Sequence, residues 1–221
     1  MSEMTVNHPI GDEMLMGYAA GSLPQAFDLV VASAVSLDDD ARGRLAGYEA
    51  MGGALLEGAR IAPLRDDSYE AVIDRILHSV PDETVAAAGR SCPRPTILPQ
   101  PLREAVGGDI EHVRWTAAGM GVRQCVLCED EGGTARLLSI PPGQAMPDHG
   151  HDGTEVTLVL DGAFFDGGTR YGRGDVEIAD GAISHMPVAD LGRDCICLVV
   201  TDGPLRFSGL LPRLAQRFLG I

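Results

Sequence analysis

The chain has 221 residues, 45% apolar and 22% charged, which is enough to bury a core and too apolar for wholesale disorder. Its 32 acidic residues outnumber 17 basic ones, all of them Arg, and the net charge of −15 makes it a poor direct ligand for nucleic acid or an anionic membrane. Residues 1–10 lack the basic and apolar regions of a secretion signal, and no apolar run approaches the roughly 20 residues of a membrane span. A reducing, cytoplasmic location is expected, with the five Cys as free thiols or metal ligands. In chain order, Asp12 and Glu13 open a first helix with Met14, Leu15, Tyr18 and Ala19 at helical spacing. Pro24 suits the first turn of a second helix, whose apolar stripe is Phe27, Val30, Val31 and Ala34. Asp38, Asp39 and Asp40 place negative charge where a third helix begins, running to about Gly58 with Leu45, Tyr48, Gly52 and Leu55 as its buried face. Asp67 caps a fourth helix with Tyr69, Val72, Ile73, Ile76 and Leu77 apolar.

The pattern changes near residues 80–100. Pro81 to Pro101 holds five of the 14 Pro residues and reads as an extended linker stiffened by Pro. Beyond it come short strand-like runs between Gly-rich turns, at 113–116, 122–127, 135–140, 155–160, 175–178, 195–201 and 205–208, then a short amphipathic piece at 211–219. Many short strands at this spacing argue for an antiparallel barrel or sandwich. The expected divisions are therefore a helical bundle of about four helices at 1–80, a linker at 81–104 and an all-β unit at 105–221.

Residues 143–162 read GQAMPDHGHDGTEVTLVLDG. His149, His151 and Glu155 are all odd-numbered, so on extended backbone their side chains share one side if the turn at 152–153 preserves the alternation. Two imidazoles and a carboxylate suit zinc, iron, manganese or nickel, and His185 downstream could complete a three-His, one-Glu set. The spacing G-x5-H-x-H-x3-E-x6-G resembles the first motif of the cupin barrels. The second cupin motif is looser: Gly174-Asp175, then His185 without the usual Pro-x-Gly. The resemblance implies a small β-barrel or jelly roll with one divalent metal on His149, His151, Glu155 and His185, zinc ahead of the alternatives.

Taken together, the helices, the linker and the cupin half resemble the ChrR family of anti-sigma factors. The matches include residues 18–33, Gly121 to Gln124, Pro147 to His151, Glu155 to Gly162, Gly174 to Asp180 and Asp194 to Leu198. The resemblance implies a non-enzymatic regulator that sequesters an extracytoplasmic-function sigma factor through its helices. It also implies that the cupin is needed for release under singlet oxygen or peroxide stress, and it leaves room for a homo-oligomer through the cupin when the protein is free. One departure stands out. The family's helical domain carries a zinc on an early His and a His-x3-Cys-x2-Cys run, whereas the matching positions here are Ala34, Asp38 and Ala41, with His8 alone surviving. Zinc is therefore not expected in the helical domain, and His8 reads as an exposed residue. The alternative function is a metal-dependent cupin dioxygenase or isomerase with a degenerate helical domain.

Four of the five Cys lie in the β half. Cys125 and Cys128 should face opposite sides of their strand, which argues against a zinc knuckle. Cys195 and Cys197 should share a face near the metal, as core filling or as redox-reactive thiols, and Cys92 lies in the linker. Trp115, Phe164 and Phe165 read as barrel packing.

Overall fold

A computed structural model describes residues 5–78, 96–151, 153–179, 185–203 and 205–207, the side chains of His151 and of Leu205–Phe207 excepted. The expected features at Cys92 and at 211–219 lie outside the described residues.

Among the described residues, five α-helices precede the strands: α1 (Asp12–Ala19), α2 (Gln25–Leu37), α3 (Asp39–Glu57), α4 (Ser68–His78) and α5 (Gln100–Val106). Pro24 is the N-cap of α2, one position earlier than expected. The Asp38 carboxylate accepts the Asp40 N–H at 3.0 Å, so the acidic triplet does start α3. Asp38→Ala should lower stability by about 1 kcal/mol, the usual worth of such a cap, which chemical denaturation would read. The expected buried face of α3 holds only in part. Leu45 is buried and Tyr48 packs on the core, but Leu55 is 78% exposed, because the distal turns of α3 run past the edge of what the other helices cover. The helix α4 begins just after Asp67 and buries none of its residues.

Residues 100–106, largely within the stretch expected to be extended, form α5 instead. The local chemistry explains it. Pro99 and Pro101 fix backbone torsions compatible with a first turn, and Gly107 ends the helix in the left-handed region at φ 77°. Asp109 holds the chain leading in, accepting the Ile97 and Leu98 N–H groups at 3.0 and 2.8 Å.

The described residues of the β part form eleven strands: β1 (Thr116–Gly119), β2 (Val122–Asp130), β3 (Gly133–Ile140), β4 (His149–His151), β5 (Glu155–Asp161), β6 (Ala163–Asp166), β7 (Thr169–Gly172), β8 (Val176–Ala179), β9 (Val188–Ala189), β10 (Cys195–Thr201) and β11 (Leu205–Phe207). An antiparallel sheet runs β1-β2-β3-β10-β5-β8, with smaller sheets β11-β4 and β7-β6-β9. The expected strand at 113–116 is displaced, since β1 starts only at Thr116 and pairs with β2 through a tight turn at 119–121. Strands β4, β6, β7 and β9 were not expected; each is four residues or fewer and carries no alternation long enough to stand out.

Side-chain alternation splits the large sheet's two faces between two cores. Leu137, Val156, Leu158, Leu160, Ile196, Leu198 and Val200 face the helices and share one core with Leu15, Phe27, Val30, Val31 and Leu102. The helix α2 lies across β3 and β10. Val159, Phe164, Cys195, Cys197 and Val199 form a second core on the other face. Gly162 turns the chain between β5 and β6 at φ 71°, where a Cβ would sit 2.5 Å from the Asp194 carbonyl oxygen, so the glycine ending the first cupin-like motif is required sterically.

Candidate metal centre

The inward face of β5 carries Glu155 and Thr157, and the register Thr157↔Glu177 places Glu177 of β8 on that same face. His149 opens β4 and pairs its backbone with His185 through hydrogen bonds of 3.2 and 3.0 Å in both directions. The three distant segments thus bring His149, Glu155 and His185 together, all buried, with their ligand atoms within 4.8 Å of one another. Strand β4 also carries His151, whose side chain lies outside the described residues.

Both imidazoles are oriented from behind. The Nδ1–H of His149 donates to the Pro147 carbonyl at 2.7 Å, and the Nδ1–H of His185 donates to Asp166 Oδ2 at 2.8 Å. Those contacts set the tautomers and turn both Nε2 lone pairs inward, the arrangement metal-binding His adopts. The two Nε2 atoms are 3.2 Å apart, and Glu155 Oε1 is 3.7 Å from Nε2 of His185. Two ligands each about 2.05 Å from a tetrahedral ion lie about 3.3 Å apart, so the donor set fits a divalent metal. Burial lowers the pKa of His149, which favours the neutral, metal-binding form.

Asp166 and Glu177 were not foreseen as site residues. Asp166 adjoins the Gly167-Gly168 turn and Glu177 lies in a four-residue strand, and only the register Thr157↔Glu177 puts the latter on the inward face. Burial raises Glu155 to about 7, against the pull of Arg136, and burial together with the Asp166 carboxylate raises Glu177 to about 8. For acids raised in this way the folded state holds protons that the unfolded chain releases. Metal-stripped protein should therefore lose stability as pH rises from the unfolded value near 4.5 through 7 to 8. His149 opposes this only below its ordinary value of 6.5, so the loss is cleanest between pH 6.5 and 8. There it should be on the order of 2 kcal/mol by urea titration, and a metal bound to Glu155 should abolish much of it.

Cys195 and Cys197 share the inward face as expected, with sulfurs 3.4 Å apart. The hydrogen bond between them and their burial push the Cys197 thiol well up, so neither the contact nor the burial favours a thiolate. Cys125 and Cys128 do not face opposite ways. A bulge between Val126 and Cys128 resets the alternation, pairing Cys125 with Leu137 and Cys128 with Ala135, and both thiols pack on the helix-facing core. Phe164 is barrel packing, stacked on Tyr171 at 5.0 Å, whereas Trp115 packs on the helix-facing core and Phe165 is part exposed.

In the helices, the positions where the resemblance implies zinc ligands do other work. Ala34 and Ala41 are buried in the core and Asp38 caps α3. Two methyl groups offer no donor, so these residues do not fit a zinc site. His8 is not free of the fold: it is half-buried against Tyr171 and Asp175.

Residues 103–205 match the ChrR cupin-like domain family. The anti-sigma-E factor ChrR of Cereibacter sphaeroides is 47% identical over 218 residues, covering 99% of this chain and 100% of the relative. The crystal structure of Rhodobacter sphaeroides SigE in complex with the anti-sigma ChrR superposes with a TM-score of 0.75 at 44% identity, over 90% of this chain and 100% of that one. Because the relationship spans helices and barrel alike, the chain belongs to the ChrR family of anti-sigma factors.

Proposed function

We propose that this protein is a cytoplasmic anti-sigma regulator. Its helical residues 1–80 sequester an extracytoplasmic-function sigma factor, and its residues 105–221 answer oxidative stress through one bound divalent metal. The observation that carries the first half is the surface of α4. Tyr69, Val72, Ile73 and Ile76 fall on one helical stripe and are 73%, 51%, 37% and 62% exposed, while Met51, Leu55 and Leu56 at the end of α3 and Ile61 and Leu64 between the helices add to the apolar surface. An apolar stripe of this kind suits a protein partner and not water. The solved relative is a complex with a sigma factor, which supports the same partner here. The alternative of a cupin dioxygenase or isomerase is set aside, since the family relationship covers the helices as well as the barrel. Among the described residues no helix is long and apolar enough to cross a membrane.

His149, His151, Glu155 and His185 are the proposed ligands and zinc the proposed ion, which would supply a Lewis-acidic centre at which an oxidant can alter the ligand shell. The chain's own contribution is to hold both imidazoles with their Nδ1 protons tied and a buried carboxylate beside them. The helical residues work without zinc. Co-expression with candidate sigma factors and co-purification with and without oxidant tests the reading: capture that is lost on oxidation supports it, and failure to capture any extracytoplasmic-function sigma factor of the same genome refutes it.

A further inference from the structure

Strand β8 is an edge of the large sheet, and the chain's own N-terminal segment covers it. The Asn7 and His8 N–H groups donate to Asp175 Oδ1 at 2.6 and 2.9 Å, and the Val176 N–H returns a bond to the His8 carbonyl at 2.7 Å. The second Asp175 oxygen accepts the Gly172 N–H at 2.8 Å, so one buried carboxylate joins the β7–β8 turn to the N-terminal segment. On the other side, the Arg44 guanidinium of α3 donates to the Ile10 carbonyl at 2.9 Å and pairs with Asp12, and Ile10 is buried in the helix-facing core. The His8 ring lies 4.7 Å from that of Tyr171, which stacks on Phe164 of β6. Two residues along β6, Asp166 holds the Nδ1–H of His185.

We propose that residues 7–10 form a clasp that fastens the helices to the barrel at Asp175, and that the ring contacts of His8 with Tyr171 and of Tyr171 with Phe164, continued along strand β6 to Asp166, link it to the metal site. The clasp gives His8 a role without zinc. Its purpose rests on the reading above, because it carries the state of the barrel to the helices that bind the partner. A clasp of charge-assisted backbone bonds at a sheet edge is specific in register yet small enough to open, which a two-state link requires.

The test is hydrogen exchange on the full-length protein, zinc-loaded and chelator-stripped, with Asp175→Ala and His8→Ala. In zinc-loaded Asp175→Ala the His8 and Val176 amides should exchange at least tenfold faster than in the parent, with zinc still bound; unchanged exchange there overturns the clasp. Stripping zinc from the parent should raise exchange at residues 7–10 several-fold, and His8→Ala should reduce that response to less than twofold. A parent indifferent to chelation, or a His8→Ala protein that responds like the parent, overturns the link to the metal. Sigma capture is measured separately, so its failure would count against the proposed function while the exchange data still decide the clasp.

Discussion

Replacing Val72 and Ile76 together with Asp should weaken sigma-factor binding at least 100-fold while leaving the thermal midpoint within about 2 °C of the parent. The two effects separate because none of the α4 residues is buried and Val72 and Ile76 are 51% and 62% exposed. Exposed substitutions of this kind typically change stability by less than about 0.5 kcal/mol. At an interface, burying two carboxylates where methyl groups belong removes apolar burial and adds desolvation, and 100-fold corresponds to about 2.7 kcal/mol. Titration of labelled sigma factor against each protein reads the first quantity and calorimetry the second. A large fall in the midpoint would mean that α4 packs in the free protein, and unchanged binding would place the partner's contact elsewhere.

The other large effect is expected at the metal. Purified protein should contain about one metal per chain, and His149→Ala with His151→Ala should contain none. Removing two of the four proposed ligands would leave an open, weakly donating site. Asp166→Ala should retain the metal but bind it roughly 10- to 100-fold more weakly, because it removes the hydrogen bond that orients His185 and none of the four proposed ligands. Competition with a chromophoric chelator orders the variants. Two zinc ions per parent chain would contradict a metal-free helical part, and metal retained in the double-His variant would contradict the ligand assignment.

Much of this molecule was legible from side-chain spacing, and the misses have identifiable causes. The strand at 195–201 emerged with its expected bounds, and its two faces divide between the two cores as alternation requires. His149 and Glu155 share parity and do converge. Alternation failed at Cys125 and Cys128, because a bulge inserts a residue without any sequence mark and turns the second thiol over. The helix α5 was hidden because Pro marks linkers and helix starts alike, and only Gly107 at its end separates the two. Glu177 and Asp166 were invisible for a different reason. Their role depends on which strand lies beside β5 and on which loop approaches His185, and both are matters of tertiary pairing.

The helical part has a further consequence in Ala34 and Ala41, buried methyl groups at positions where the family resemblance implies imidazole and thiolate ligands. Every Cys of the chain lies at or beyond position 92. Residues 1–91 therefore offer an oxidant no thiol and no sulfur–metal bond to break. Under the proposed function the molecule would then be single-input, with the chemical message entering at the barrel and the helices as its output.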